Sequence, residues 1–209
     1  DGRTADAEIP EGAYYPSVGK AWVSIPGEEV TIGEIYLPLI PANTLKPLSS
    51  TETTEVRFSD EFIAGNPKFA GVSLMVAPDS PFFDDGTPGG MVGLAPVNPD
   101  RLPGRLPLGL GIDDVVTIQT DGATNFDVPA PVCLPNLDGL EPGDQSALWS
   151  FNHDTGRFEI VGSMTVSADG NSICSDPGVG ILAPGWHGTA PGTQGQGGKV
   201  GDGGDDEDE

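Results

Sequence analysis

Apolar and polar residues alternate with a period of two over several short stretches in the second half of the chain. Because successive side chains of a strand point to opposite faces, this pattern predicts strands with one buried face. Residues 152–156 (Asn-His-Asp-Thr-Gly) predict a hairpin turn, and Asp169 with Gly170 suits the positive φ values of a second tight turn. The predicted strands span residues 114–119, 130–135, 146–151, 158–166 and 172–174.

The first half carries the same pattern in shorter pieces. Residues 19–25 and 29–37, separated by Pro26 and Gly27, predict a β-hairpin. Residues 98–111 mix Pro, Leu, Arg and Gly without a period, which predicts a proline-stiffened loop that crosses between sheets. No window of 11 residues shows an amphipathic helical pattern. Further strands are predicted at residues 54–58, 69–76 and 91–97.

These elements predict an all-β fold, a Greek-key β-sandwich of the Ig-like kind. Two small β subdomains packed together are the alternative. Tyr14 and Tyr15 are candidates for docking the N-terminal residues on the body. The predicted units are a linker or extended arm (1–17), an N-terminal hairpin or small β subdomain (18–68), a sandwich (69–188) and a disordered acidic Gly-rich linker (189–209).

Composition and charge narrow the class of partner. Gly 31 and Pro 21 fall between apolar runs rather than replacing them, which favours a folded chain with many turns. Lys+Arg 9 against Asp+Glu 32 gives a formal net charge of −23, a field that repels nucleic acids and anionic membrane surfaces. No run of 18 apolar residues predicts a membrane span. The chain begins without Met and ends in an acidic run, so we expect a piece of a longer protein.

The two cysteines, Cys133 and Cys174, each lie in a strand-like stretch. Two half-buried cysteines on strands of one small domain can reach bridging distance, so we predict a disulfide that closes a loop of about 40 residues. The alternative is a pair of unpaired core thiols. A disulfide and an acidic, Lys-poor composition together favour a secreted or cell-surface protein.

Several stretches between residues 69 and 186 carry a family resemblance. They are residues 71–78 (Gly-Val-Ser-Leu-Met-Val-Ala-Pro), 108–110, 115–118, 125–135 and the hairpin of residues 148–159. This part of the chain resembles the ZU5-type β-sandwich. The whole chain, including residues 33–41 and 150–156, is also similar to an uncharacterised module of very large bacterial surface proteins that accompanies Ig-like repeats. The resemblance implies a sandwich fold and an extracellular setting. Some ZU5 domains cut themselves at a His-Phe-Ser step, but here Asp154 follows His153 and Gly188 follows His187.

Candidate catalytic groups are few. Only His153 and His187 could serve as the usual base of a hydrolase triad, and no Gly-x-Ser-x-Gly motif accompanies them. His153 falls in the predicted hairpin turn and His187 at the predicted end of the domain, where solvated polar residues are ordinary. We therefore predict no catalytic residues and no enzyme.

Loop carboxylates are the candidate metal ligands. Cys133 and Cys174 have no second cysteine or histidine at chelating spacing, which argues against zinc. Ca²⁺ takes 6–8 oxygen ligands from loops, although no EF-hand pattern is complete here and solvated turn carboxylates are the common case. The candidate Ca²⁺ ligands are Asp84, Asp85, Asp113, Asp114, Asn152 and Asp154.

The tryptophans could form a carbohydrate-stacking surface or a core. Trp149 and Phe151 alternate within one predicted strand and so share a face, which favours the core for Trp149. Trp186 follows Pro184 and Gly185 and is predicted to close the end of the sandwich.

The function favoured by these observations is a non-catalytic structural or adhesive β module of a large extracellular or cell-surface protein. Its expected partners are neighbouring modules of the same protein or other surface proteins. The first alternative is a Ca²⁺-dependent ligand- or carbohydrate-binding module, and the second is an autoproteolytic ZU5-like domain. No cofactor other than Ca²⁺ is predicted.

Overall fold

The computed structural model describes residues 9–18, 22–32, 34–107, 111–112 and 115–191. Within these ranges nearly all of the regular secondary structure is β-strand, with one short α-helix. The strands are β1 (Lys46–Pro47), β2 (Thr54–Arg57), β3 (Ser73–Val76), β4 (Pro81–Phe82), β5 (Met91–Val97), β6 (Val115–Thr120), β7 (Asn125–Phe126), β8 (Val132–Pro135), β9 (Gln145–Asn152), β10 (Arg157–Val166), β11 (Ser172–Ser175) and β12 (Gly185–Pro191). The helix is α1 (Asp60–Gly65), and 3-10 turns span Ala42–Thr44, Pro67–Phe69 and Pro99–Arg101. The predicted all-β class is confirmed.

Ten of these strands form one antiparallel sheet in the order β1-β5-β6-β12-β9-β10-β11-β8-β3-β2, and β4 and β7 form a second, small sheet. β12 lies in the middle, paired with β6 on one side and β9 on the other. β2, at one edge, contacts β5 near the other edge, so the large sheet curls until it is nearly closed. The fold is therefore sandwich-like or barrel-like.

The main core lies inside the curled sheet. Strands from both halves of the chain contribute fully buried side chains to it, among them Val56 of β2, Leu74 of β3, Leu94 of β5 and Leu148 of β9. A side chain of this size stabilises the fold by about 1.5–3 kcal/mol when it is fully buried. Because both halves of the chain contribute to this one core, the core holds the two halves together.

A second core covers the outer face of the central strands. Trp149 and Phe151 of β9 pack there with Trp186 of β12, and both Trp149 and Phe151 are buried, as their shared face predicts. Leu102 and Leu106 pack against this cluster from the segment that follows β5. The region predicted as a crossing loop thus covers one face of the sheet. Trp186 does not close the end of a sandwich, because it lies within a central strand.

The helix α1 was not predicted, because six residues are too few for an amphipathic period. Its local signal is a cap: the Ser59 side chain accepts a hydrogen bond from the Phe62 backbone N–H at 3.2 Å, and Asp60 and Glu61 occupy the first turn. No helix among the described residues is long and apolar enough to cross a bilayer.

The described part of the predicted N-terminal hairpin has its turn but no strands, and residues 19–21 and 33 lie outside the described residues. The Glu28 N–H donates to the Ile25 carbonyl at 3.1 Å around Gly27, yet residues 22–32 and 34–39 form no strand. Trp22 and Val23 are 60% and 78% exposed. A two-stranded hairpin without a third strand or a buried face is only marginally stable in water, which accounts for the difference.

Two of the predicted unit boundaries fall inside paired structure. The boundary after residue 68 separates β2 from β3, which pair with each other from Thr54↔Val76 to Arg57↔Ser73. The predicted linker at 189–209 begins within β12, because Thr189 and Ala190 pair with Leu148 and Ala147. Residues 192–209 lie outside the described residues.

Candidate functional site

The most distinctive cavities lie at one end of the sheet, where β6 and β9 finish and β12 begins. This end, built from residues 119–124, 151–154 and 181–185, is called the loop end below. One cavity of about 400 Å³ lies between it and the N-terminal segment, and a second of about 450 Å³ lies beside the β9–β10 turn. Thr124, His153 and Pro184 line both cavities.

The N-terminal segment joins the fold at the loop end. The Tyr14 hydroxyl donates a hydrogen bond to the Thr120 carbonyl at 2.7 Å, and Tyr14 pairs with Ile40 through two backbone hydrogen bonds. Burial, and then the nearby negative charge of Asp121, raise the pKa of Tyr14. Tyr14 therefore stays protonated and serves as an anchor, as its predicted docking role requires.

His153 occupies the turn between β9 and β10. The Asn152 side-chain oxygen accepts hydrogen bonds from the backbone N–H groups of Asp154 at 2.9 Å and Thr155 at 3.1 Å, which fixes the turn. The half-buried ring of His153 lies 5.3 Å from the Phe151 ring and 5.6 Å from the Trp186 ring, centroid to centroid. The turn thus holds an imidazole against aromatic side chains at the mouth of both cavities.

His187 does not lie at a solvated end of the domain, as predicted, but inside the central strand β12. It pairs with Val116 of β6 and Ser150 of β9, and its side chain is 0% exposed. Neither ring nitrogen has a hydrogen-bond partner among the described residues. Burial, followed by the neighbouring His153, lowers the pKa of His187 to about 3, so its imidazole is neutral near pH 7.

The two histidines, far apart in sequence, meet at Gly185. A Cβ atom added to Gly185 would lie 3.3 Å from the His153 Nε2 and 3.8 Å from the His187 Nε2. The Phe151 carbonyl oxygen is also 3.8 Å from that point. The missing side chain of Gly185 therefore leaves a hollow that both imidazole Nε2 atoms border.

The predicted Ca²⁺ ligands that the structure describes lie in two loops. Asp84 accepts a hydrogen bond from the Thr124 hydroxyl at 3.0 Å, and Asp85 accepts one from the Thr87 N–H at 2.9 Å, a bond that lowers the pKa of Asp85. Asn152 and Asp154 line the second cavity, to which Thr124 also contributes. Asp113 and Asp114 lie outside the described residues.

The structure thus brings two of the predicted acidic turns, at Asp84 and at Asn152 with Asp154, to the loop end. The Asp84 carboxylate accepts from the Thr124 hydroxyl, and the Asn152 side-chain oxygen accepts from two backbone N–H groups of its own turn. Across the ranges that the structure describes, no three His, Cys, Asp or Glu side chains form a group that could hold a metal ion. Ca²⁺ binding stays a prediction.

The predicted disulfide is present: Cys133 of β8 is bonded to Cys174 of β11. The two residues are directly opposite each other in the antiparallel pair, with Cα atoms 4.1 Å apart. Their neighbours Val132, Leu134 and Ile173 point into the main core, so the half-buried bridge lies on the opposite face of the sheet. The bridge therefore does not point into the main core.

The sequence offers only a faint signal for the histidine pair. Trp186 and His187 lie on opposite faces of β12 and both are buried, as in a central strand covered on both sides. The flanking Gly185, Gly188 and Pro191 are poor strand formers and hide that strand from pattern analysis. Residue separation alone could not place His187 beside His153.

No family model matches the chain, and comparisons with curated proteins and with solved structures likewise find no match.

Proposed function

We propose that this chain is a non-catalytic structural or adhesive module of a larger extracellular or cell-surface protein, joined in series to its neighbours and able to carry tension. The observation that carries the proposal is the position of the two points at which the described chain joins and leaves the sheet. They lie at opposite ends of the central strands.

The N-terminal side is fixed at the loop end. Tyr14 is bonded to Thr120, the last residue of β6, and β1 pairs with the start of β5, where Val92 lies opposite Thr120. On the C-terminal side, β12 runs from Gly185 at the loop end to Pro191, which pairs with Ser146 near the start of β9. Pro191 is six residues beyond Gly185 in extended chain, so the two attachment points are separated by roughly 20 Å along the sheet.

Tension between these points acts along β12. Because β12 pairs with β6 on one side and with β9 on the other, such tension loads its backbone hydrogen bonds in parallel rather than one after another. The Cys133–Cys174 bridge ties together β8 and β11 in the same sheet. Both features suit a module that must stay folded while it is pulled.

The setting outside the cytoplasm rests on the disulfide and the charge. Disulfides persist in oxidising compartments and are rare where thiols are kept reduced. A formal charge of −23 keeps such modules apart from one another and from anionic surfaces.

Single-molecule pulling in two geometries tests the proposal. With handles at Pro10 and just after Pro191, force loads β12 along its length, and we expect a high unfolding force. With handles at Asp144 and just after Pro191, force peels β12 from β9 one bond at a time, so a lower unfolding force is expected. Equal forces, or a weaker end-to-end geometry, would contradict the proposed role.

A Ca²⁺-dependent ligand- or carbohydrate-binding module is the second candidate, favoured by the two acidic turns at the loop end. An ion bound only by the folded state must raise the melting temperature. This candidate predicts a rise in millimolar Ca²⁺ that Asp84→Asn reduces and the distant Asp100→Asn does not. A melting temperature that does not respond to Ca²⁺ would remove it.

A further inference from the structure

His187, near the loop end, combines full burial with two ring nitrogens that lack hydrogen-bond partners among the described residues. A buried polar group without a partner costs about 1–3 kcal/mol, and native structures contain few of them. His187 presents two such nitrogens in the centre of a sheet. Its side chain is fully enclosed, and its Nε2 borders the hollow above Gly185.

A second imidazole borders the same hollow. The His153 Nε2 is 3.3 Å from the position of the absent Gly185 Cβ, compared with 3.8 Å for the His187 Nε2. Neutral imidazoles are ligands of Zn²⁺, Cu²⁺ and Ni²⁺, whereas Ca²⁺ and Mg²⁺ prefer oxygen. Two imidazoles around one hollow therefore favour a transition-metal ion, whereas the acidic turns favour Ca²⁺.

The surroundings suit an ion that keeps open coordination positions. His153 lines the two cavities of about 400 and 450 Å³, so one of the two imidazoles borders open space. Its place in the β9–β10 turn leaves its ring less enclosed than that of His187. The strong negative charge of the whole chain favours cations near its surface.

We propose that His153 and His187 bind one transition-metal ion of the zinc and copper class in the hollow above Gly185. Two protein nitrogens leave coordination positions for water, or for an oxygen or nitrogen ligand that enters from the adjacent cavities. The site shares the Asn152–Asp154 turn with one candidate Ca²⁺ site but uses imidazole nitrogens in place of oxygens, and it does not depend on the proposed structural role.

Calorimetric titration of the full oxidised chain with Zn²⁺, after treatment with a chelator, tests the site. Excess Ca²⁺ in the buffer occupies surface carboxylates, which it prefers to imidazoles. The proposal predicts one Zn²⁺ per chain and a shift of the imidazole nitrogen signals of both histidines in NMR spectra. Binding that is absent, or that leaves both imidazole signals unmoved, would overturn it.

Three variants sharpen the test. His153→Gln removes the less buried ligand, and Gly185→Ala fills the hollow while keeping both histidines; each should weaken Zn²⁺ binding at least about 100-fold. Asp154→Asn, which changes an exposed neighbour, should weaken it less than about twofold. His187→Asn should also abolish binding, but if that variant does not fold, the first two variants decide. Unchanged affinity in His153→Gln or in Gly185→Ala would refute the site.

Discussion

Thr44 makes the hydrogen bonds that a neighbouring strand would otherwise make to the backbone of β5. Its hydroxyl donates to the Leu94 carbonyl at 2.7 Å and accepts from the Leu94 N–H at 3.2 Å, both in buried surroundings. One side chain thus satisfies the donor and the acceptor of a core residue that β1 is too short to reach. An isolated threonine in a Pro-rich loop gives no sequence signal for this role.

Thr44→Val should therefore destabilise the protein by about 1–3 kcal/mol, because it leaves the Leu94 N–H and carbonyl unpaired in the core. Urea unfolding measures the difference. Asn43→Ala, which removes an exposed hydrogen bond to Ser59, is the matched control and should change stability by less than about 0.5 kcal/mol. Equal effects of the two variants would show that Thr44 does not satisfy these groups.

His187 makes stability depend on pH in a definite direction. Its pKa in the folded protein, about 3, is below the ordinary value of 6.5, so the unfolded chain binds the proton more tightly. The contribution of His187 to the free energy of unfolding is therefore fully present above pH 6.5. It is lost by about 1.4 kcal/mol per pH unit as the pH falls from 6.5 towards 3.

His187→Leu should remove this dependence, because leucine does not titrate and needs no partner. The free energy of unfolding, measured in urea between pH 7 and pH 4.5 with chelator present, should fall less steeply in the variant by about 1.4 kcal/mol per pH unit. If the free energy of unfolding falls equally steeply with decreasing pH in both proteins, His187 does not cause this pH dependence.

The elements of the second half were largely predictable and those of the first half were not. β9, β10 and β11 match the predicted strands to within one residue, because tight turns at residues 153–156 and around Gly170 fix their pairing. Residues 19–37 carry an equally good alternating pattern, yet their described part has no strand partner. An alternating pattern shows that a segment can form a strand. Whether the strand forms depends on a pairing partner from elsewhere in the chain.

β12 is the opposite case. Its glycines and proline give a weak strand signal, but β6 and β9 supply partners on both sides and cover both its faces. These partners come from Ser150, 37 positions before His187, back to Val115, 73 positions before Gly188, and they determine the structure of β12. The histidine pair was hidden for the same reason.

The disulfide joins β8 to β11 on the less buried face of the sheet, where a reductant can reach it without unfolding the core. Reduction should therefore proceed under native conditions and lower stability by about 3–4 kcal/mol, because the bridge closes a loop with a sequence separation of 41.

Thiol titration before and after reduction, followed by urea unfolding, measures both effects. The unreduced protein should show no free thiol. A Cys133→Ala/Cys174→Ala variant should match the reduced protein and lose its response to reductant. Free thiols in the unreduced chain, or unchanged stability after reduction, would contradict the bridge.

At the scale of the whole molecule, the main core unites strands from residues 54 to 173 in one nearly closed sheet. The two-subdomain alternative places a boundary between β2 and β3, where the structure has a strand pair instead. A shared core and shared pairing predict that the described body unfolds as one cooperative unit. In such a unit, tension applied at the two ends of β12 is resisted by the sheet as a whole.

The most direct test of this account is the length released when the chain is pulled from Pro10 and from a point just after Pro191. The oxidised protein should unfold in a single step, and reduction should lengthen that step by about 140 Å, the extended length of the chain between Cys133 and Cys174, whose sequence separation is 41. Two separate steps, of which one corresponds to residues before β3, would show that the chain is two units and would contradict the account.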